Sequence, residues 1–141
     1  MKGILSRAEA IKAREREIDA IVVSAHGGRN LDMAPTPAEV LPEIVDAVAG
    51  KIGIVADSGI KSGGDVARYL ALGAGATMVG RLPLYGLAAA AEAGAAECLE
   101  ILLADLKTTM AFLGVRDLAG LRRTQRRPKA CCVFPETRNM L

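Results

Sequence analysis

Two side chains with complementary chemistry stand close together near residue 26. His26 is the only histidine among the 141 residues, and Arg29 follows it across Gly27 and Gly28. An imidazole titrates near neutral pH and can act as a general base, while a guanidinium binds a carboxylate through two parallel hydrogen bonds. Glycines let the backbone turn sharply and approach a ligand. The alternative is a structural or solvated histidine, but the adjoining Gly-Gly-Arg favours a base beside a carboxylate-binding group.

Two later glycine-rich segments predict a phosphate site. The first is Asp-Ser-Gly-Ile-Lys-Ser-Gly-Gly at residues 57–64, and the second is Gly80-Arg81. Gly59, Gly63 and Gly64 would expose backbone N–H groups just before a helix, and the arginine adds a cation. The alternative is that these glycines only make tight turns between strands and helices. Two such segments in succession favour the phosphate site.

The elements that would position these residues follow a β/α alternation. Apolar runs predict strands at residues 20–23, 52–56 and 76–79, with a stub at 2–4. Amphipathic segments predict helices from the Ser6 capping box to about 18, from the Thr36 capping box to Gly50, over 65–72 and over 95–113. Alternating elements of this kind form a parallel sheet. A TIM barrel needs eight strands, with its active site in the loops that follow them, so the pattern predicts half a barrel.

Length and composition limit the remaining possibilities. A chain of 141 residues is typical of one domain, here predicted as a half-barrel domain over 1–115 followed by a basic tail over 116–141. A net charge of +2 does not predict a nucleic-acid partner, and a solvated tail is favoured over nucleic-acid or membrane contact for the terminal basic run. No transmembrane segment is predicted.

The cysteines indicate the compartment. Cys98, Cys131 and Cys132 show neither zinc-ligand spacing nor a disulfide framework, and no metal site is predicted. The N-terminal residues do not resemble a signal peptide. We therefore expect a reducing, cytoplasmic setting.

Several motifs, taken together, resemble a known family. They are Ser-Ala-His-Gly-Gly-Arg-Asn-Leu-Asp at 24–32, Leu-Pro-Glu-Ile at 41–44, Asp-Ser-Gly-Ile-Lys at 57–61 and Gly-Arg at 80–81. In order and spacing they resemble the FMN-dependent α-hydroxy-acid dehydrogenase/oxidase family, which includes cytochrome-type L-lactate dehydrogenase, glycolate oxidase, lactate oxidase and mandelate dehydrogenase. The resemblance covers about residues 1–120. It implies the C-terminal half of a TIM (β/α)8 barrel that binds FMN.

The resemblance also implies a role for each matching residue. His26 would take a proton from an L-2-hydroxy acid that is oxidised to the 2-oxo acid, and Arg29 would bind the substrate carboxylate. Lys2 would lie against the N1/O2 edge of the flavin and stabilise negative charge on reduced FMN. Ser24 would contact the isoalloxazine. The ribityl chain and phosphate would be held by Asp57, Ser58, Gly59, Ile60, Lys61, Gly80 and Arg81.

The sequence departs from the family pattern at several positions. Ala25, Asn30, Ser58 and Lys61 stand where the family usually has Asn, Gln, Gly and Arg, and Leu82 interrupts the common Gly-Arg-Pro. The family's N-terminal half, with substrate-side tyrosines and an aspartate that orients the histidine, has no counterpart in this sequence. We therefore expect weak or no turnover unless such a half is supplied or two copies pair. The alternatives are an FMN- or phosphate-binding half-barrel without turnover and an inactive remnant.

Overall fold

The computed structural model describes residues 1–124 as a parallel sheet with helices between its strands. The four strands lie side by side in chain order, and every neighbouring pair is parallel. They are β1 (Lys2–Ile4), β2 (Ala20–Val23), β3 (Gly53–Ala56) and β4 (Ala76–Thr77). The helices are α1 (Arg7–Glu15), α2 (Pro37–Val48), α3 (Gly63–Ala71), α4 (Arg81–Phe112) and α5 (Leu118–Arg123). This strand and helix order confirms the predicted parallel α/β class.

Side-chain caps fix where the first helices begin. Ser6 and Glu9 form the predicted capping box of α1, and Thr36 and Glu39 form that of α2. An N-cap of this type stabilises a helix by about 1 kcal/mol because it satisfies backbone N–H groups that lack partners in the first turn. A third box, Ser62 with Asp65, starts α3 at Gly63. The predicted start at 65 was therefore two residues late.

The sheet register brings the ends of neighbouring strands together. Val23 on β2 is paired with Ala56 on β3, so the residues that follow, Ser24 and Asp57, emerge next to each other. Lys2 on β1 pairs with Val22, close enough for its long side chain to reach the same edge. Buried apolar side chains from the strands and from α2 and α3 hold the sheet in place, among them Ile21, Val23, Leu41, Ile44, Val48 and Leu70.

Helix α4 differs most from the predicted helix over 95–113. It begins at Arg81 and consists of two segments joined by a kink at Ala90 and Ala91, whose backbone angles are not helical. The segments pack so closely that a Cβ on Gly86 would lie 2.1 Å from the carbonyl oxygen of Gly94. The first segment was missed because residues 82–90 contain no charged side chain and so show no alternation of polar and apolar faces.

The end of the described chain also folds back onto the sheet and its helices. Leu121 on α5 is completely buried in the core, so folded structure continues past residue 115 into the predicted basic tail. Leu121 is buried because α5 packs against α3. Arg122 and Arg123 on the same helix are exposed. The predicted basic residues Arg126, Arg127 and Lys129, with Cys131 and Cys132, lie outside the described residues. Within residues 1–124, no helix is both long and apolar enough to cross a bilayer.

Candidate active site

A cleft of about 700 Å³ opens at the edge of the sheet where the strands end. The loops after β2, β3 and β4 form its walls, together with Lys2 from β1. Every predicted site residue except Ser24 lines the cleft: Lys2, His26, Arg29, Asp57, Ser58, Gly59, Ile60, Lys61, Gly80 and Arg81. Ser24 lies beneath it and is completely buried. Sequence reasoning did not anticipate the apolar wall formed by Met78, Val79, Leu82, Leu84 and Tyr85.

A charged and polar cluster forms the floor of the cleft. The Lys2 ammonium is ion-paired with the Asp57 carboxylate and donates a hydrogen bond to Ser24 Oγ at 3.0 Å. Partial burial raises the pKa of Asp57, but hydrogen bonds from Lys2, Ser24 and Ser58 and the charge of Lys2 outweigh burial and hold that pKa below its ordinary value. The carboxylate therefore stays ionised at neutral pH and fixes a positive charge at Lys2.

The imidazole of His26 lies against the backbone of β1. A Cβ on Gly3 would be 2.9 Å from His26 Cε1, and Gly3 has a φ of +92° that other residues rarely adopt. Gly3 was not among the predicted site residues because an isolated glycine in a short apolar run carries no signal of its own. Both His26 and Arg29 are exposed, and among residues 1–124 neither side chain makes a hydrogen bond or ion pair.

Two further cations and two stretches of accessible backbone line the cleft. Lys61 and Arg81 supply the cations, and Gly59 and Gly80 supply the backbone. A Cβ on either glycine would meet nothing within 4 Å, so a ligand can approach the backbone there. The Arg81 guanidinium also reaches over the loop that carries His26, since a Cβ on Gly27 would lie 3.3 Å from Arg81 Nη2.

The predicted exposure of backbone N–H groups at Gly63 is wrong. That N–H donates to Asp105 Oδ2 at 2.6 Å, and a Cβ at residue 63 would lie only 2.0 Å from the backbone nitrogen of Leu106. Gly63 therefore serves the close packing of α3 on α4. The backbone N–H groups of Lys61 and Ser62 both donate to Asp65. The backbone N–H groups of residues 61, 62 and 63 are therefore already bonded within the chain and are not free for a phosphate.

The cleft suits a phosphate-bearing aromatic cofactor. Its volume lies within the range of about 300–1,000 Å³ that is usual for small-molecule sites. It has an ion-paired cation at Lys2, apolar side chains against which a ring system could pack, and two further cations, Lys61 and Arg81, with open backbone at Gly59 and Gly80. In residues 1–124 no three His, Cys, Asp or Glu side chains group as they would to hold a metal ion. The fold is therefore half of a parallel β/α barrel, and its cleft has the size and charges of a site for a phosphate-bearing small molecule.

Comparison with known families assigns the chain. The sequence model of a family described as FMN-dependent dehydrogenase matches residues 1–127. The match spans most of the chain, including all strands, helices and cleft residues described above. The protein belongs to the FMN-dependent dehydrogenase family, and the resemblance found in the sequence motifs is confirmed.

Individual relatives agree with this assignment. The chain is 42% identical over 133 residues to an L-lactate dehydrogenase of Caulobacter vibrioides, covering 92% of this chain and 35% of that protein. It is 43% identical over 123 residues to a peroxisomal (S)-2-hydroxyacid oxidase of Arabidopsis thaliana, covering 87% of this chain and 34% of the relative. The chain thus spans about a third of the length of these curated relatives.

Solved structures agree on the fold. A mandelate oxidase mutant with the monooxide FMN adduct superimposes with a TM-score of 0.86 at 42% identity, covering 89% of this chain and 40% of that one. Mandelate oxidase with (S)-2-phenylpropionate gives the same TM-score and identity, covering 38% of its own chain. These matches confirm that the four strands and their helices have the fold of part of a TIM barrel.

Proposed function

We propose that this chain binds FMN and oxidises an L-2-hydroxy acid, such as lactate or glycolate, to the 2-oxo acid. The observation that carries the proposal is the cleft itself, which is lined by Lys2, His26, Arg29, Lys61 and Arg81 together. The similarity to an L-lactate dehydrogenase, a hydroxyacid oxidase and a mandelate oxidase supports the same substrate class.

Each side chain on the substrate side has a defined task in this proposal. The Arg29 guanidinium binds the substrate carboxylate and places the 2-hydroxyl near His26. His26 takes the hydroxyl proton on a ring nitrogen as the C2–H bond breaks. The C2 hydrogen would leave with two electrons as a hydride equivalent, and FMN, held in the cleft, would supply the two-electron oxidant that this step needs. The product is the 2-oxo acid.

Lys2 and the loops after β3 and β4 hold the cofactor in this proposal. The Lys2 ammonium, ion-paired with Asp57, would stabilise negative charge on the cofactor ring. Ser24 supports Lys2 from below, at 3.0 Å. Ser58, Gly59 and Ile60 line the ribityl side. The cationic side chains of Lys61 and Arg81, with the backbone at Gly80, bind the phosphate.

We further propose that activity requires additional strands. Within the described residues, β1 and β4 each pair on one side only, and an unpaired parallel edge is a place for another strand to add. An N-terminal barrel half or a second copy of this chain would supply such strands and close the cleft. We also propose a half-barrel domain over 1–115, a basic segment after it whose helix α5 packs against α3, and a cytoplasmic setting.

A second candidate function is flavin or phosphate binding without turnover. It is favoured by the exposure of His26 and by the lack, in residues 1–124, of any carboxylate bonded to its ring. A general base needs a partner that holds the ring in the productive orientation. On this view the half-barrel binds the cofactor but oxidises no hydroxy acid.

A flavin titration followed by substrate addition separates these functions. The full-length chain is titrated with FMN, monitored by flavin fluorescence, and then mixed anaerobically with L-lactate or glycolate. We expect saturable binding, with weak or no bleaching of the flavin by the chain alone and faster bleaching when a family N-terminal half is added. Binding without bleaching in both cases selects the second candidate. No binding in either case rejects both.

A further inference from the structure

Serine hydroxyls hold three consecutive backbone N–H groups in the loop that carries His26. Ser58 Oγ accepts hydrogen bonds from the N–H of Ala25 at 3.2 Å and of Gly27 at 3.1 Å. The N–H of His26 between them donates to Ser24 Oγ at 3.1 Å. The loop is thus attached by its backbone to the ends of β2 and β3.

The Ser58 hydroxyl is fully used. Besides accepting two N–H groups, it donates its own hydrogen to Asp57 Oδ1 at 2.9 Å, which is the full capacity of a hydroxyl. The Ser58 carbonyl in turn accepts the hydroxyl of the buried Tyr69 at 2.8 Å. Hydrogen bonds therefore fix both the side chain and the backbone carbonyl of Ser58.

The backbone conformation of Ser58 indicates that its hydroxyl has a structural role. Its φ is +76°, a left-handed conformation that costs free energy for every residue except glycine. Glycine would relieve the strain but would have no hydroxyl for the loop. The loop itself is strained in the same sense at His26, where φ is +53°. Strained conformations persist where the surrounding structure holds them, and here Ser58 Oγ bonds the N–H groups on either side of His26.

We propose that Ser58 is a positioning residue, whose hydroxyl sets the backbone of residues 25–27 and thereby the placement of the His26 ring. Because the same hydroxyl bonds Asp57, which is ion-paired with Lys2, Ser58 also links the substrate side of the cleft to the Lys2 charge. The consequence for hydroxy-acid oxidation rests on the proposed function. The positioning itself does not, since it concerns contacts made within this chain.

Two substitutions separate the hydroxyl from the backbone strain. Ser58→Gly removes the hydroxyl and accepts the left-handed φ without strain, whereas Ser58→Ala removes the hydroxyl and keeps the strain. Ser6→Ala is the matched control, because it also removes a hydroxyl that accepts a backbone N–H and donates to a carboxylate but does not contact residues 25–27. All are made in the full-length chain without added flavin.

The measurements are amide hydrogen exchange and the imidazole NMR signals, which belong to His26 alone because it is the only histidine. We expect exchange at Ala25 and Gly27 to become about tenfold faster in both Ser58 variants, and the imidazole signals to shift in both. Exchange at Ile21 and Val23 in Ser58→Gly stays at the parent rate. Ser6→Ala leaves residues 25–27 and the imidazole signals unchanged.

The results that overturn the proposal are equally specific. Parent-like exchange and imidazole signals in Ser58→Gly would show that only the backbone conformation matters at residue 58. Uniformly faster exchange throughout the sheet in Ser58→Gly would show a role in global stability alone. Neither result depends on FMN binding or turnover, so a failure of the proposed function would be seen separately in the flavin titration.

Discussion

The two sides of the cleft are built very differently. The Lys2 cluster, formed by Lys2, Ser24, Asp57 and Ser58, is joined internally by an ion pair and hydrogen bonds. His26 and Arg29, which we call the substrate pair after their proposed role, are exposed, and among the described residues their side chains make no such bonds. The difference teaches that residues 1–124 preorganise the Lys2 cluster, which we propose as the cofactor side, from contacts of their own. The same residues leave the side chains of the substrate pair without bonds that would orient them.

The largest expected effect comes from removing the centre of the Lys2 cluster. Asp57→Ala leaves the Lys2 ammonium and the Ser24 and Ser58 hydroxyls without their acceptor. We expect the free energy of unfolding to fall by about 2–3 kcal/mol, the usual cost of losing hydrogen bonds to a partly buried charge. Urea denaturation followed by circular dichroism measures this loss. A fall in the free energy of unfolding of less than about 0.5 kcal/mol would mean that the bonds of the Lys2 cluster do not stabilise the fold.

A smaller loss is expected where the substrate pair meets the sheet. Gly3→Ala places a Cβ 2.9 Å from His26 Cε1 on a backbone with φ of +92°. We expect a loss of about 1–2 kcal/mol in stability from the left-handed backbone, and a shift of the imidazole NMR signals because the ring must move. Gly50→Ala is a matched control, since Gly50 has a φ of +72° with nothing within 4 Å of the added Cβ. It should lose similar stability while the imidazole signals stay in place.

Acidification tests the Lys2 cluster through the protonation of Asp57. The pKa of Asp57 is lower in the folded chain than its ordinary value of 3.8, so the unfolded chain binds more protons in the acid range. The contribution of Asp57 to the free energy of unfolding is therefore complete above pH 3.8, its ordinary pKa, and is lost as the pH falls through its pKa in the folded chain. Asp57→Asn should show a shallower fall in stability below about pH 5 than the parent chain. Equal slopes in both proteins would contradict the assignment.

The smallest effect on stability is expected at the substrate pair. His26→Ala and Arg29→Ala remove exposed side chains that bond nothing in residues 1–124, so each should change the free energy of unfolding by less than about 0.5 kcal/mol. The same urea denaturation measures this. A loss as large as that of Asp57→Ala would show that the two sides of the cleft are equally tied to the fold.

The elements at the strand ends could be predicted from the sequence because local signals define them. Apolar runs mark β2 and β3, and the capping boxes at Ser6 and Thr36 mark the starts of α1 and α2. Once the strands are parallel, the residues after them must share one edge, which is why the separate motifs meet in one cleft. The family motifs then indicated which side chains would line it.

Features that depend on distant contacts could not be predicted in this way. Gly63 looked like a phosphate-binding glycine, but its surroundings are set by Asp105 and Leu106 on α4, more than forty residues away in the chain. The burial of Leu121 likewise depends on α5 folding back onto α3. The hydrogen bonds of Ser58 to residues 25 and 27 need the register of β2 with β3. Long-range contacts of this kind leave no periodic pattern or capping motif in the local sequence from which they could be predicted.

The central claim is that this chain carries the preformed cofactor side of an FMN site, and one FMN titration series tests it most directly. The full-length chain is compared with Lys2→Met and Arg81→Ala in the cleft, and with Arg122→Ala as an exposed arginine outside it. We expect the parent chain and Arg122→Ala to bind FMN equally, and each cleft variant to bind about tenfold more weakly, as loss of one charge-assisted contact predicts. No binding by the parent chain, or equal binding by all four proteins, would contradict the account.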